Sequence, residues 1–323
     1  MPKTYCHLSD AERSQIELLR RHRLSNAAIA RQLGVDRATI GRELARNRAR
    51  GGYRGRSAST KASARRVDAS TRPRKMGPDL LAWIEEKLRQ EQWSPEQISG
   101  WLAKEGKATI SPEAIYRHIW KEKRHGGTLH THLRHGGKKY NKRKGKNTGR
   151  GIIPGRVDID QRPAIVADKS RIGDWEGDTI AGAKHQSALL SHVERVSKFT
   201  RLHKLFAATA ANTTAATVQD LRSDKEKVLT ITYDNGKEFA GHQRIAQLLN
   251  ADVFFATPYH AWERGLNEHT NGLVRQYFPK GTDFHRVSDA EIAMVEKKLN
   301  NRPRKVLAYK TPCEVFKPAV TNT

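Results

Sequence analysis

The sequence predicts a multidomain chain, with α-helical helix-turn-helix units at the N-terminus followed by an α/β domain built on a mixed five-stranded sheet. Three observations support this. Residues 1–150 carry 35 Lys and Arg against 14 Asp and Glu, whereas residues 151–323 carry 25 against 20. Capped helical repeats fill much of the first half. After Pro154 the pattern turns to alternating and β-branched runs.

A net charge of +26 over 323 residues makes a polyanion the expected partner. No run of about 18 apolar residues occurs, and the N-terminus has no apolar signal core, so neither a membrane span nor secretion is expected. Cys6 and Cys313 are too far apart for a metal or redox motif and too few for a disulfide scaffold. A cytoplasmic, reducing setting fits.

Ser9 and Glu12 form a capping box before Ile16, Leu18 and Leu19, which predicts a first helix ending near Arg21. Residues 25–44 contain two short helical patterns broken at Gly34, with Ile29, Leu33, Val35 and Ile40 spaced to meet inside the bend and Ala30 where the helices touch. This is the helix-turn-helix pattern. Asp36 would cap the second helix. Its Arg37, Ala38, Thr39 and Arg42 would reach the major groove, and Arg46 a phosphate. The alternative is a plain helical core, but the basic residues fall on the polar face, which favours DNA. Residues 1–50 are therefore a first DNA-binding domain. Residues 51–77, rich in Arg, Gly, Ser and Ala, read as a basic linker that tracks phosphates.

A second helix-turn-helix domain is expected over residues 78–120. Leu80, Leu81, Trp83, Ile84 and Leu88 share a helical face, and Ser94-Pro95 and Ser111-Pro112 open two further helices. The tryptophans read as core rather than as base-stacking platforms. Residues 121–155 read as another basic linker, with 11 Lys and Arg against one acid in residues 121–150. His125, His130, His132 and His135 lie there without cysteine or apolar support, so zinc is not expected.

From residue 156 onward, strands are expected at 175–181, 188–193, 199–205, 228–233 and 251–256, with helices at 213–221, 242–250 and 265–277. Three hairpin strands followed by helix, strand, helix, strand, helix is the order of the ribonuclease H-like fold. Asp178 lies within the first strand, Asp234 at the end of the fourth and Glu268 near the start of a helix. Each has an ordinary reading as a solvated polar residue, a turn residue or a helix-dipole partner. In this fold their three places can converge. Converging carboxylates repel unless a proton or metal neutralises them.

Three motifs make the resemblance specific: Trp175-x-x-Asp178-x-Ile180, Tyr233-Asp234-Asn235-Gly236-Lys237-Glu238-Phe239, and Gly265-Leu266-Asn267-Glu268-His269-Thr270-Asn271-Gly272-Leu273-x-Arg275. Together they resemble the DDE catalytic core of bacterial insertion-sequence transposases, which is related to retroviral integrases. Gln276-Tyr277-Phe278-Pro279-Lys280-Gly281-Thr282 and Asn300-Asn301-Arg302-Pro303-Arg304-Lys305 are similar to the insertion-sequence-thirty family. The 33 residues between Asp234 and Glu268 are a similar spacing.

The resemblance implies polynucleotidyl transfer: cleavage at transposon ends, then attack of the freed 3′-hydroxyl on target DNA. Asp178, Asp234 and Glu268 would be both catalytic and metal-binding, with Mg²⁺ as cofactor and Mn²⁺ able to substitute. Asn271 and Arg275 share a helix face with Glu268 and would position DNA. Lys280, Arg302, Arg304 and Lys305 would contact phosphate. Asp174 and Glu176 are rivals to Asp178 on the same side of the strand, and only the Trp-x-x-Asp pattern selects Asp178. The partners implied are double-stranded DNA and a homo-oligomer of at least two chains. A DNA-binding repressor without activity and a metal-dependent nuclease that cuts without joining are the alternatives.

Overall fold

The computed structural model describes residues 7–49, 51–71, 76–134, 153–258 and 260–318. The chain forms two compact units, Met1–Gly77 and Pro78–Thr323.

The first unit is helical. Helix α1 (Asp10–Arg21) starts with the expected capping box: Glu12 N donates to Ser9 Oγ at 3.2 Å, and Ser9 N donates to the Glu12 carboxylate at 2.6 Å. Helix α2 (Asn26–Leu33) ends at Gly34, whose φ of 65° is left-handed backbone suited to glycine. Helix α3 (Arg37–Asn47) is capped by Asp36, which accepts from Ala38 N at 2.7 Å. Ile16, Ile29, Ala30 and Ile40 form the core, while Leu18 faces outward. A buried ion pair of Arg13 with Glu43, at 2.8 Å, ties α1 to α3.

The expected tether over 51–77 is instead largely a helix, α4 (Gly55–Thr71), packed against α1. Gly55, Ala58, Ser59 and Ala62 lie at helical spacing and let the backbones approach closely. Gly55 N donates to the Glu17 carboxylate at 2.7 Å, and a Cβ at Gly55 would lie 2.8 Å from the Arg13 carbonyl oxygen. Small side chains supply a docking face here, a signal that counting large apolar residues overlooks. Residues 72–75 lie outside the described residues.

The second unit joins a helical segment to the α/β domain. Helices α5 (Pro78–Arg89), α6 (Pro95–Lys104) and α7 (Pro112–Arg124) enclose Ile84, Leu88, Ile98, Leu102, Ile115 and Ile119. Trp83 stacks on Trp101 at 5.1 Å between ring centroids, with Trp93 edge-on to both. Of this segment's tryptophans, Trp93 is buried, Trp83 and Trp101 are half-buried against it, and Trp120 on α7 is exposed, so the expectation of core tryptophans holds fully only for Trp93. The chain beyond α7 does not run straight into an extended linker: a 3₁₀ turn at Leu129–His132 buries Leu129. Residues 135–152, with His135, lie outside the described residues.

After the short helix α8 (Ile165–Asp168) come β1 (Asp174–Ala181), β2 (Ala188–Glu194), β3 (Thr200–Leu205), helix α9 (Ala210–Leu221), β4 (Thr230–Tyr233), helix α10 (His242–Leu249) and β5 (Asp252–Phe255). The sheet order is β3-β2-β1-β4-β5. Strands β1, β2 and β3 pair antiparallel, and β1, β4 and β5 pair parallel. Helices α11 (Gly265–Tyr277), α12 (Asp289–Asn300) and α13 (Pro312–Phe316) complete the unit. One core surrounds Trp175, Leu190, Ile231, Tyr233 and Phe255, and the other surrounds Ile180, Leu189, Leu273, Val274 and Leu299.

The helical segment is fastened to the α/β domain rather than tethered to it. The chain after α12 crosses α6: Lys305 pairs with Glu96 at 2.7 Å, and Lys104 lies 3.8 Å from Glu314. A Cβ at Gly100 would lie 2.1 Å from the Tyr309 ring. Glycine lets the two segments meet there. Among the described residues, no helix is long and apolar enough to cross a membrane.

Candidate active site

Strand alternation sends Trp175, Gly177 and Thr179 to one face of β1 and Asp174, Glu176 and Asp178 to the other. Their partners separate the three acids. Asp174 is buried, paired with Arg171 at 3.1 Å and accepting from Thr230 Oγ1 at 2.8 Å. Glu176 is buried 3.5 Å from Arg195 and accepts from Asn267 N at the start of α11. Asp178 alone of the three keeps a partly exposed carboxylate, with 23 % of its side chain accessible. The first two acids are committed to holding the fold, and the third is open to a ligand.

Parallel pairing brings Asp234 alongside. Glu176 pairs with Thr232, and two residues further along each chain stand Asp178 and Asp234. Asp234 accepts from Gly236 N at 2.9 Å, closing its own turn. The two carboxylates converge on one cation, the guanidinium of Arg264: Nη2 lies 3.4 Å from Asp178 Oδ1, and Nη1 lies 3.7 Å from Asp234 Oδ2. Nη2 also donates to the Gly177 carbonyl at 2.6 Å. Burial pushes the Asp178 carboxyl above its ordinary value, Arg264 opposes that, and Asp234 adds to it.

Helix α11 supplies the rest. Asn271 donates to Asp178 Oδ2 at 2.7 Å and accepts from Ser191 Oγ at 3.0 Å. Arg275 donates to the Ala181 carbonyl at 2.7 Å and to the Pro279 carbonyl at 3.2 Å, anchoring α11 to the end of β1. Glu268 is exposed on the first turn of α11. Among the described residues, no three His, Cys, Asp or Glu side chains are grouped closely enough to hold one metal ion. Asp178 and Asp234 are thus brought together, and Glu268 is not.

Of the other basic residues, Lys280 and Lys305 are exposed. Arg302 and Arg304 differ from the expectation of phosphate contacts, because both are buried. Arg302 donates to Tyr277 Oη at 2.5 Å, to Gln276 Oε1 at 3.2 Å and to the Glu91 carbonyl at 3.4 Å, joining α11 to the end of α5. Arg304 donates to the Leu299 carbonyl, and burial pushes its guanidinium down to about 9. As placed, both hold protein segments together. In the first unit, Arg37, Arg42 and Arg46 are exposed along α3 and Thr39 is half-buried.

Arg264 was not singled out in the sequence. The signal was there: a lone arginine one helical turn before Glu268, in the run leading into an acidic site.

The sheet order and the mixed pairing are those of the ribonuclease H-like fold. With a helix-turn-helix unit ahead of it, the chain falls in the class of DNA-acting polynucleotidyl transferases. A helix-turn-helix domain model matches residues 4–47, and a homeodomain-like model matches residues 39–119. The chain is 46% identical to the transposase for insertion sequence element IS4351 of Bacteroides fragilis, over 98% of this chain and 97% of the relative. It is 37% identical to the IS1086 transposase of Cupriavidus metallidurans, over 98% and 96%, and 34% identical to the transposase InsI of IS30A from Escherichia coli K12, over 99% and 86%. Among solved structures, the BIV integrase catalytic core aligns with 45% of this chain and 94% of its own, at 19% identity and a TM-score of 0.36. That overlap is too low to add to the reading from topology. The chain belongs to the IS30-type family of insertion-sequence transposases.

Proposed function

We propose that this transposase binds the terminal inverted repeats of its element and, through Asp178, Asp234 and Glu268, cleaves the ends and joins the 3′-hydroxyls to target DNA. The observation that carries the reading is the convergence of Asp178 and Asp234 on one guanidinium. Two hard-oxygen donors already gathered about a cation fit a divalent ion, Mg²⁺ or Mn²⁺. When bound, such ions activate the attacking oxygen and stabilise the leaving one. Asp178 and Asp234 would hold them, and Glu268 on α11 would be the third donor once its helix turn is brought in. Asn271 orients the Asp178 carboxylate, and Arg275 fixes the helix on which Asn271 sits.

Arg37, Thr39 and Arg42 read the end sequence from α3, and Arg46 and Lys280 contact phosphates. Lys305, held here by Glu96, joins them when that exposed pair opens. Two ends must be held together, so the working form is at least a dimer, acting on DNA in the cytoplasm.

The test is incubation with labelled end DNA, target DNA and Mg²⁺. Wild type should give joined product, while Asp178→Asn, Asp234→Asn and Glu268→Gln bind ends without joining. Full activity in Asp178→Asn would remove the site, and cleavage without joining in wild type would favour a nuclease.

A further inference from the structure

Arg264 occupies the space between the two aspartates, and no other cation among the described residues pairs with either. Its side chain is 11 % exposed and its Nε has no hydrogen-bond partner. Here the contacts to both carboxylates are ion pairs at 3.4 and 3.7 Å, looser than direct hydrogen bonds, and the one short bond goes to the Gly177 carbonyl. Asp174 shows the contrast, with Arg171 engaging both carboxylate oxygens at 3.1 Å.

Arg264 also sits at a junction. It ends a 3₁₀ turn and is the N-cap residue of α11, with no side-chain cap bond. The next residue, Gly265, has open space where a Cβ would be.

We infer that Arg264 is the resident cation of the Asp178–Asp234 pair: it offsets one of the pair's two negative charges while no metal is bound and is displaced when a divalent ion enters. The inference rests on the metal-binding reading of the same pair. It accounts for two acids standing together. Metal entry and arginine departure are then one exchange, in which two carboxylates trade a single positive charge for a stronger one.

The experiment is titration of the full-length protein with Mn²⁺ in the absence of DNA, following free Mn²⁺ by electron paramagnetic resonance. Wild type, Arg264→Gln, Arg264→Lys and Asp178→Asn are compared, with circular dichroism to establish that each is folded. Removing an occupant that fills the site about nine-tenths of the time should tighten Mn²⁺ binding roughly tenfold in Arg264→Gln. Arg264→Lys, which keeps the charge, should stay closer to wild type. A residue that merely supports the fold would give the opposite result, weaker binding on its loss. Equal or weaker binding in Arg264→Gln, with binding still lost in Asp178→Asn, overturns the inference and leaves the metal reading intact. Absence of Asp178-dependent binding in every protein overturns both.

Discussion

Asn271 Nδ2 lies 2.7 Å from Asp178 Oδ2, joining the middle of α11 to the strand that carries the first carboxylate. Its Oδ1 accepts from Ser191 Oγ, so both ends of the amide are engaged and its orientation is fixed. A carboxylate held in this way presents a defined edge to a ligand. Replacing Asn271 with Ala should lower divalent-metal affinity or strand joining by about 10–100-fold, the usual effect of losing a group that orients a metal ligand. Mn²⁺ titration and a joining assay read it, and a variant indistinguishable from wild type would refute the role.

The acids of β1 should behave differently from one another. Glu176→Ala leaves Arg195 buried without its ion-pair partner, which should cost about 3–5 kcal/mol in chemical denaturation. Asp178→Asn should retain folding and end binding while losing joining. Were Asp178→Asn the more destabilised of the two, Asp178 would be structural and Glu176 the better catalytic candidate.

On α3, Arg42 and Arg46 are exposed one turn apart. Arg42→Ala should weaken binding to the element ends by about 1–3 kcal/mol if it reads a base, with little change on random DNA. Arg46→Ala should weaken both equally and reduce the salt dependence. Binding titrations on the two DNAs at several salt concentrations separate these outcomes.

The sheet has a pH-sensitive element. His192 is fully buried, and burial pushes its imidazole down to about 4. The unfolded chain, with a His value near 6.5, therefore binds the proton more readily between the two values. Stability should fall as pH drops from about 6.5 towards 4, and this group should contribute no slope above that window. Denaturation of His192→Gln across the same range should show a shallower loss than wild type; parallel curves would mean that His192 is not the source.

Much of the fold was legible because its signals are local. The Ser9–Glu12 box, the left-handed Gly34 and the Asp36 cap each satisfy backbone groups within a few residues, so they fix α1 to α3 without reference to the rest of the chain. The β-branched run ending at Asp234 marked β4 in the same way. Helix α4 was missed because its docking face is made of Gly55, Ala58, Ser59 and Ala62, residues that pack by closeness rather than by apolar area. Arg302 and Arg304 looked like surface cations because charge alone does not report burial.

The sequence by itself determined a basic, helix-turn-helix first half and an α/β second half in ribonuclease H-like order, since periodicity and capping are written along the chain, while the three candidate carboxylates came from the family resemblance of their motifs. Tertiary structure decided which acids of β1 are committed to ion pairs and which is open. It also set Arg264 between Asp178 and Asp234, and fastened the chain after α12 across α6. Those relations depend on pairing β1 with β4 and packing α11 against the sheet, and distances between residues remote in sequence exist only once that packing has formed.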